Sequence, residues 1–372
     1  MGIGKYLSAA RGGVKTPPYI LFFVTARCDG RCRHCFYWRS TNQVPNELTF
    51  AEIERVSAHT GDILQLTLTG GDPARRDDLP EIAQTFAERN HADHITVATN
   101  GFHAETILKH VRKMVDTLPN KTNLTIDLSL DGLGEDHDFI RNCPGIFDRL
   151  IATVTGLKII KAEYGKPNIC LNTTVSYYNQ NKLRPIYDYA LNELQPDIIN
   201  ALYIRGEPRE PQAKDINVER YREICGWIRE DTARGRIPGY NFFTDTLHAK
   251  DFILRDIIMD TVRTNHFQYP CSAARLTGVI YPAGDVAGCE ILPHVLGNLR
   301  TEGYDLARIW ASPRAEAMRR KIAYDKCFCI HQCFLSNNIL FNPRLLPKLA
   351  AETARLKAAR LQRSLRQTAE RL

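Results

Sequence analysis

Three cysteines fall within eight residues, Cys28, Cys32 and Cys35 in the run CDGRCRHC, directly after the apolar segment YILFFVT. Thiolates at that spacing suit three irons of a four-iron cluster and leave the fourth iron without a protein ligand. An open iron serves a cluster that activates a substrate; a cluster that only carries electrons is closed by a fourth cysteine. A structural zinc site asks for four protein ligands, commonly in CxxC pairs, and no fourth ligand lies nearby in the sequence. Five more cysteines, Cys271, Cys289, Cys327, Cys329 and Cys333, gather in the last third, the final three in CFCIHQC. The total of eleven is odd, which fits metal binding in a reducing compartment better than a disulfide framework. Cys143, Cys170 and Cys225 stand alone and read as plain buried thiols.

These groups need a frame to hold them. From Tyr19 the sequence alternates strand-like runs (YILFFVT, LQLTLTG, HITVATN, NLTIDLSLD, NICLNTTVS, DIINALYIR) with helical segments, the signature of a parallel β/α architecture. Thr49 with Glu52 forms a capping box, and Asp78 with Glu81, with Pro80 in the first turn, repeats the device. The run GIFDRLIATVTGLKIIKAEYG has apolar spacings of three and four and stops at Gly165. Six β/α units predict an α/β fold, a partial (β/α)6 barrel rather than a closed one, with a doubly wound sheet as the alternative; in either, chemistry belongs at the carboxyl ends of the strands. The expected division is a lead-in over 1–18, the barrel over 19–236, a helical linker over 237–270, a small α+β cluster-binding module over 271–343 and a basic helix over 344–372. In that module LTGVIY and DVAGCE flank Pro-Ala-Gly, which reads as a β-hairpin.

The spacing C-x3-C-x2-C after a first strand resembles that of the radical S-adenosylmethionine superfamily. Other motifs resemble the family's in type and order: Gly70-Gly71-Asp72-Pro73, with Asp for the usual Glu; Asn100-Gly101; Ser129-Leu130-Asp131-Gly132; and Arg141 in HDFIRNCPGIFD. His34 occupies a position before the last cysteine that is usually aromatic. The resemblance implies a 4Fe-4S cluster on Cys28, Cys32 and Cys35 whose open iron binds S-adenosylmethionine. It also implies cofactor contacts from His34, Gly70, Gly71, Asp72, Asn100, Ser129, Asp131 and Arg141, with a weaker claim for Asn172. A guanidinium such as Arg141 suits a carboxylate bidentately. Reductive cleavage of the cofactor would give a 5′-deoxyadenosyl radical that abstracts hydrogen from a substrate.

The order Cys271, Gly284, Cys289, Gly297-Asn298-Leu299 and CFCIHQC resembles the SPASM or twitch extension that carries auxiliary clusters. The full SPASM pattern uses seven cysteines; with five here, one auxiliary 4Fe-4S cluster is expected, on Cys271, Cys289, Cys333 and one of Cys329 or Cys327. His331 is expected to hydrogen-bond or lie exposed rather than to ligate, and a zinc knot is the alternative. The resemblance implies oxidative modification of a substrate, a small metabolite before a peptide, and an electron donor such as flavodoxin or ferredoxin. The opposing class is a non-catalytic cysteine–metal scaffold. Arg205 and Glu207, at the end of the sixth strand-like run, are candidates to recognise an anionic or amino group, or to pair with each other.

Charge and composition exclude other classes. Of the net charge of +7, most sits after Leu345, where seven basic residues face two acidic ones. The body is close to neutral and has no clear nucleic-acid footprint. YILFFV is too short to cross a bilayer, and no charged-then-apolar leader precedes it, so a cytoplasmic protein is expected. The basic tail is a candidate docking site for an acidic partner.

Overall fold

A computed structural model describes residues 3–10, 14–292 and 294–369. Its nine strands are β1 (Tyr19–Thr25), β2 (Gln65–Gly70), β3 (His94–Thr99), β4 (Asn123–Ser129), β5 (Asn168–Val175), β6 (Ile198–Tyr203), β7 (Thr277–Ile280), β8 (Asp285–Ala287) and β9 (Val295–Asn298). They form one sheet in the order β6-β5-β4-β3-β2-β1-β7-β8-β9, which is not closed into a barrel. The six strand-like runs of the sequence are the six parallel strands β1 to β6. Helices such as Phe50–Ala58, Leu79–Arg89, Ala104–Thr117 and Ile146–Tyr164 cross between them. The fold is therefore α/β, a partial barrel.

The hairpin expected after Cys271 is present as the antiparallel pair β7–β8. It does not stand apart: β7 runs parallel to β1, from Tyr19 opposite Thr277 to Phe22 opposite Ile280, so the cysteine-rich segment extends the barrel's own sheet. A strand covered on both faces reads as an unbroken apolar run, and β1 is buried along its whole length. In the other barrel strands alternate residues are polar. Thr67 and Thr69, Thr96, Thr125, Asp127 and Ser129, and Asn172 and Thr174 all face one central cavity. Leu66, Leu68, Ile95, Val97, Ile126 and Leu128 belong to the apolar core. The period of two in a strand sorts these residues between lumen and core.

Thr49 and Glu52 form the expected capping box. Glu52 also clamps the auxiliary segment, accepting from Arg300 Nε at 2.6 Å and from the Tyr304 hydroxyl at 2.9 Å. The second expected cap is not formed. Asp78 makes no cap hydrogen bond; its carboxylate instead accepts from Arg76 Nε at 2.6 Å and Nη2 at 2.9 Å. Arg76 is buried and also donates to the Val24 carbonyl at 2.8 Å, and a charged fork outcompetes a lone backbone N–H. The tail helix, Leu346–Ala369, packs along the helix Thr244–Thr264. Leu349 and Leu356 are buried, and Arg360 reaches Asp245 at 2.6 Å.

The end of β2 lies against the chain leaving β1. Gly70 has φ of +141°, and a Cβ on Gly71 would stand 2.3 Å from the Arg27 carbonyl oxygen and 2.6 Å from that of Ala26. Both are main-chain atoms and neither can rotate away. Gly71→Ala is expected to lower stability by about 1–3 kcal/mol, the usual range for overpacking, as read by urea unfolding. It should also reduce the iron retained after purification, because the displaced chain is the loop that carries Cys28.

Candidate active site

The chain leaving β1 is pinned from several sides. Asn42 brackets Cys28, accepting from its N–H at 3.0 Å and donating to its carbonyl at 2.9 Å. Arg31 and Arg33 donate their N–H groups to the carbonyls of Arg141 and Ile140, each at 3.0 Å, docking the loop on the helix Glu135–Arg141. Asn42 carries no motif signal of its own and emerges only from the fold. The three thiols are free. Gly30 sits between two of them, and a Cβ there would lie 3.4 Å from Cys32 Sγ and 3.7 Å from Cys28 Sγ. Burial and the neighbouring Cys32 push the Cys35 thiol up to about 11; burial, Asp72 and Cys32 raise Cys28. Three neighbouring thiols, one buried and two half-buried, become thiolates readily only with cationic compensation among them, so the donor set fits an iron–sulfur cluster.

The other motif residues converge on this loop. Asn100 points Nδ2 at Cys28 Sγ at 3.8 Å, and Arg141 points Nη1 at Cys32 Sγ at 3.6 Å. Arg141 also pairs with Asp131, which is fully buried; His34 Nε2 is 3.7 Å from the same carboxylate. Burial alone would raise Asp131, but Arg141, His34, His137 and the Thr174 N–H outweigh it and hold the carboxyl below its ordinary value. Burial lowers His34 to about 4, so it is neutral at pH 7. His34 Nδ1 and Arg141 Nε are buried without hydrogen-bond partners, polar capacity that suits a polar ligand beside the cysteines. Ser129 lines the cavity.

Asp72 is built into the frame between two strand ends. It is buried, and its carboxylate accepts from the Thr99 hydroxyl at 2.9 and 3.0 Å and from the N–H groups of Asn100 and Ala74, each at 2.9 Å. It is occupied in tying the end of β2 to the end of β3. Asp131 is likewise engaged by Arg141 and by the Thr174 N–H at 2.7 Å.

The C-terminal cysteines divide in two. Cys329 is pushed up to about 12 by burial and by the neighbouring thiols of Cys271, Cys289 and Cys327. Three of these sulfurs accept a backbone N–H from two residues on: Cys271 from Ala273 at 3.5 Å, Cys289 from Ile291 at 3.4 Å and Cys329 from His331 at 3.4 Å. Such bonds help set the potential of a bound cluster. Cys333, expected among the ligands, stands on the other side. Its sulfur, a Glu290 oxygen and a His331 nitrogen lie within 4.8 Å of one another, and Cys333 lines the central cavity. The cause is helical geometry: Cys333 sits in the first turn of the helix Gln332–Phe341, past the extended Cys327–Cys329 segment, and so faces another way. His331 is fully buried and pairs with Glu290, a hydrogen-bonding rather than an exposed role. Glu290 had no sequence signal beyond adjacency to Cys289.

Arg205 and Glu207 do not pair. Arg205 reaches Glu290 at 3.3 Å and lies 4.8 Å from the Phe36 ring centroid, on the cavity wall. Glu207 is exposed and bonds Arg39 at 2.5 Å. Gly206, with φ of +67°, turns the chain between them and sends the two side chains apart. The cavity has a volume of about 610 Å³ and runs from the strand ends to Cys333.

An open β/α barrel with a three-cysteine loop after its first strand and a second cysteine set on the extended sheet defines an iron–sulfur enzyme. The chain belongs to the radical SAM superfamily: that family's profile matches residues 22–188, and an iron–sulfur cluster-binding domain, SPASM, matches residues 271–334. It is 27% identical to an AdoMet-dependent heme synthase of Methanosarcina barkeri over 82% of this chain and 84% of that protein. It is 30% identical to a GTP 3′,8-cyclase of Vibrio cholerae over 60% of this chain and 67% of the relative. Among solved structures it resembles anSMEcpe with bound AdoMet, with a TM-score of 0.60 at 14% identity over 92% of this chain and 98% of the other. The enzyme thus uses S-adenosylmethionine with a 4Fe-4S cluster, and carries an auxiliary cluster. Among the described residues no helix is long and apolar enough to cross a membrane.

Proposed function

We propose that this enzyme removes a hydrogen atom from a small metabolite in the central cavity. In this reading Cys28, Cys32 and Cys35 hold the cofactor-cleaving cluster, and Cys271, Cys289, Cys327 and Cys329 hold the auxiliary one. The observation that carries the substrate class is the cavity. Pockets for one drug-sized ligand span about 300–1,000 Å³, and about 610 Å³ must here receive both the cofactor and the substrate. The polar faces of β2 to β5 line one side of it and Tyr240, Phe242, Leu247, Leu254 and Leu340 line the other, which suits a molecule with both polar and apolar parts. The sequence relatives, a heme synthase and a GTP cyclase, are likewise named for small molecules.

When bound, the cluster and S-adenosylmethionine supply an electron and a 5′-deoxyadenosyl radical. The chain's own residues position and shield. Arg141 and Asn100 direct positive hydrogens at the sulfurs of Cys32 and Cys28, which favours the more negative, reduced state. Asp131 and His34 hold Arg141 in place, while Asp72 fixes the backbone around Asn100. Gly70 and Gly71 allow β2 to approach the loop, and Ser129 and Asn172 offer hydrogen bonds in the cavity. An oxidoreductase outcome follows where the substrate radical passes its electron to the auxiliary cluster. The free thiols throughout the chain fit a reducing, cytoplasmic compartment.

Anaerobic reconstitution with iron and sulfide, reduction, and addition of S-adenosylmethionine should yield 5′-deoxyadenosine; a colourless zinc protein making none would favour the scaffold. Cys271→Ala with Cys329→Ala should lower bound iron from two clusters to one while cofactor cleavage survives. Equal iron in both proteins would refute that ligand set. For the electron source we assign a one-electron protein such as flavodoxin or ferredoxin. Arg27, Arg31 and Arg75 are exposed around the cysteine loop, and complementary charge chiefly raises association rate. Arg31→Glu should slow reduction by an acidic flavodoxin, most at low salt, and leave reduction by titanium(III) citrate unchanged.

A further inference from the structure

Five cysteines follow residue 270, and four suffice for one cluster. The fifth, Cys333, is accessible, and the space it opens onto is the central cavity. Beside it are Glu290 and the fully buried His331. Arg205 holds Glu290 from the other side at 3.3 Å. This surrounding does not suit a metal ion: Glu290 is already engaged by His331 and by a guanidinium that repels a cation. The thiol stands exposed beside these groups. The same cavity continues to Thr69, Ser129 and Asn172, and Arg205 on its wall lies 4.8 Å from the ring centroid of Phe36, the residue after Cys35.

We propose that Cys333 is a hydrogen-atom donor to carbon radicals formed in this cavity. The inference rests on the radical reading above and adds a second outcome to it, in which the substrate radical is quenched instead of oxidised. In the step, the S–H bond of Cys333 breaks homolytically, a C–H bond forms on the substrate carbon, and a thiyl radical remains on Cys333. One electron from the reduced auxiliary cluster, itself recharged by the external one-electron donor, and one proton from water restore the thiol. The transfer runs downhill, because an S–H bond is weaker than nearly any C–H bond. The cysteine loop lies at the strand ends and Cys333 on the auxiliary side. Abstraction from one face and return from the other would invert the carbon without changing its oxidation level.

A thiol exchanges its hydrogen with D₂O and a C–H bond does not, which supplies the test. The holoenzyme in D₂O is reduced with titanium(III) citrate, which carries no thiol, and given S-adenosylmethionine alone. The cofactor's own 5′-deoxyadenosyl radical is then the probe of what the cavity donates. The parent should give 5′-deoxyadenosine carrying one deuterium. The labelled fraction should fall by an order of magnitude in both Cys333→Ser and Cys333→Ala and hold in Cys225→Ser, a thiol packed in the core. Iron per chain in Cys333→Ser should match the parent. Unlabelled product from the parent, or label that survives both Cys333 substitutions, overturns the proposal. Loss of one cluster's iron in Cys333→Ser also overturns it, because Cys333 would then be a ligand. Because the labelled fraction is taken per molecule of 5′-deoxyadenosine, absence of label counts against Cys333 and leaves the radical reading standing.

Discussion

Cys32→Ala is expected to abolish formation of 5′-deoxyadenosine and to remove one cluster's iron, leaving the auxiliary cluster's absorbance in place. Cys32 is the sulfur that Arg141 approaches at 3.6 Å, and it lies beside Cys28 across Gly30. With that thiol gone, two thiolates remain for a cluster that needs three, and the buried Arg141 loses one of its two anionic partners. Loss of a group that acts with its neighbours as one unit costs nearly the whole rate rather than a share of it. The check is product by mass spectrometry with iron and sulfide assayed on the same sample. Cofactor cleavage at the parent's rate by Cys32→Ala would refute the assignment of the site.

Arg141→Met should be the most damaging substitution to stability away from the cysteines. It leaves Asp131 buried with its principal counter-charge removed, a change that costs about 3–5 kcal/mol when one partner of a buried pair is deleted. The pH dependence gives the claim a second handle. In the parent, Asp131 is held below its ordinary value, so its contribution to stability is present above the unfolded carboxyl's pKa of about 4 and is lost as pH falls through the lower folded value. In the variant, burial dominates and raises the carboxyl. The penalty is then full at neutral pH and shrinks on acidification as Asp131 takes up a proton. Urea midpoints from pH 7 down to pH 4 should therefore converge between the two proteins. Parallel curves would mean that Arg141 does not compensate Asp131.

The local pattern of the sequence determined the six parallel strands, the lumen-facing alternation within them, the Thr49–Glu52 cap, the hairpin after Cys271 and the place of the three-cysteine loop after β1. Each is a short-range property: strand period, turn chemistry, or thiols seven residues apart on one loop. Local pattern misread Asp78, where a buried guanidinium from two residues away took the carboxylate that a cap would use. It did not show that the Asp72 carboxylate is held by Thr99, Asn100 and Ala74. Tertiary structure alone decided that β7 adds to the edge of β1, and that Arg205 meets Glu290 across 85 residues instead of Glu207 two residues on. It likewise gathered Cys327 and Cys329 with Cys271 and Cys289, while Cys333 turned into the cavity. Spacing counts residues, but whether a thiol faces a cluster or a cavity depends on where a helix begins, and here it begins between Cys329 and Cys333.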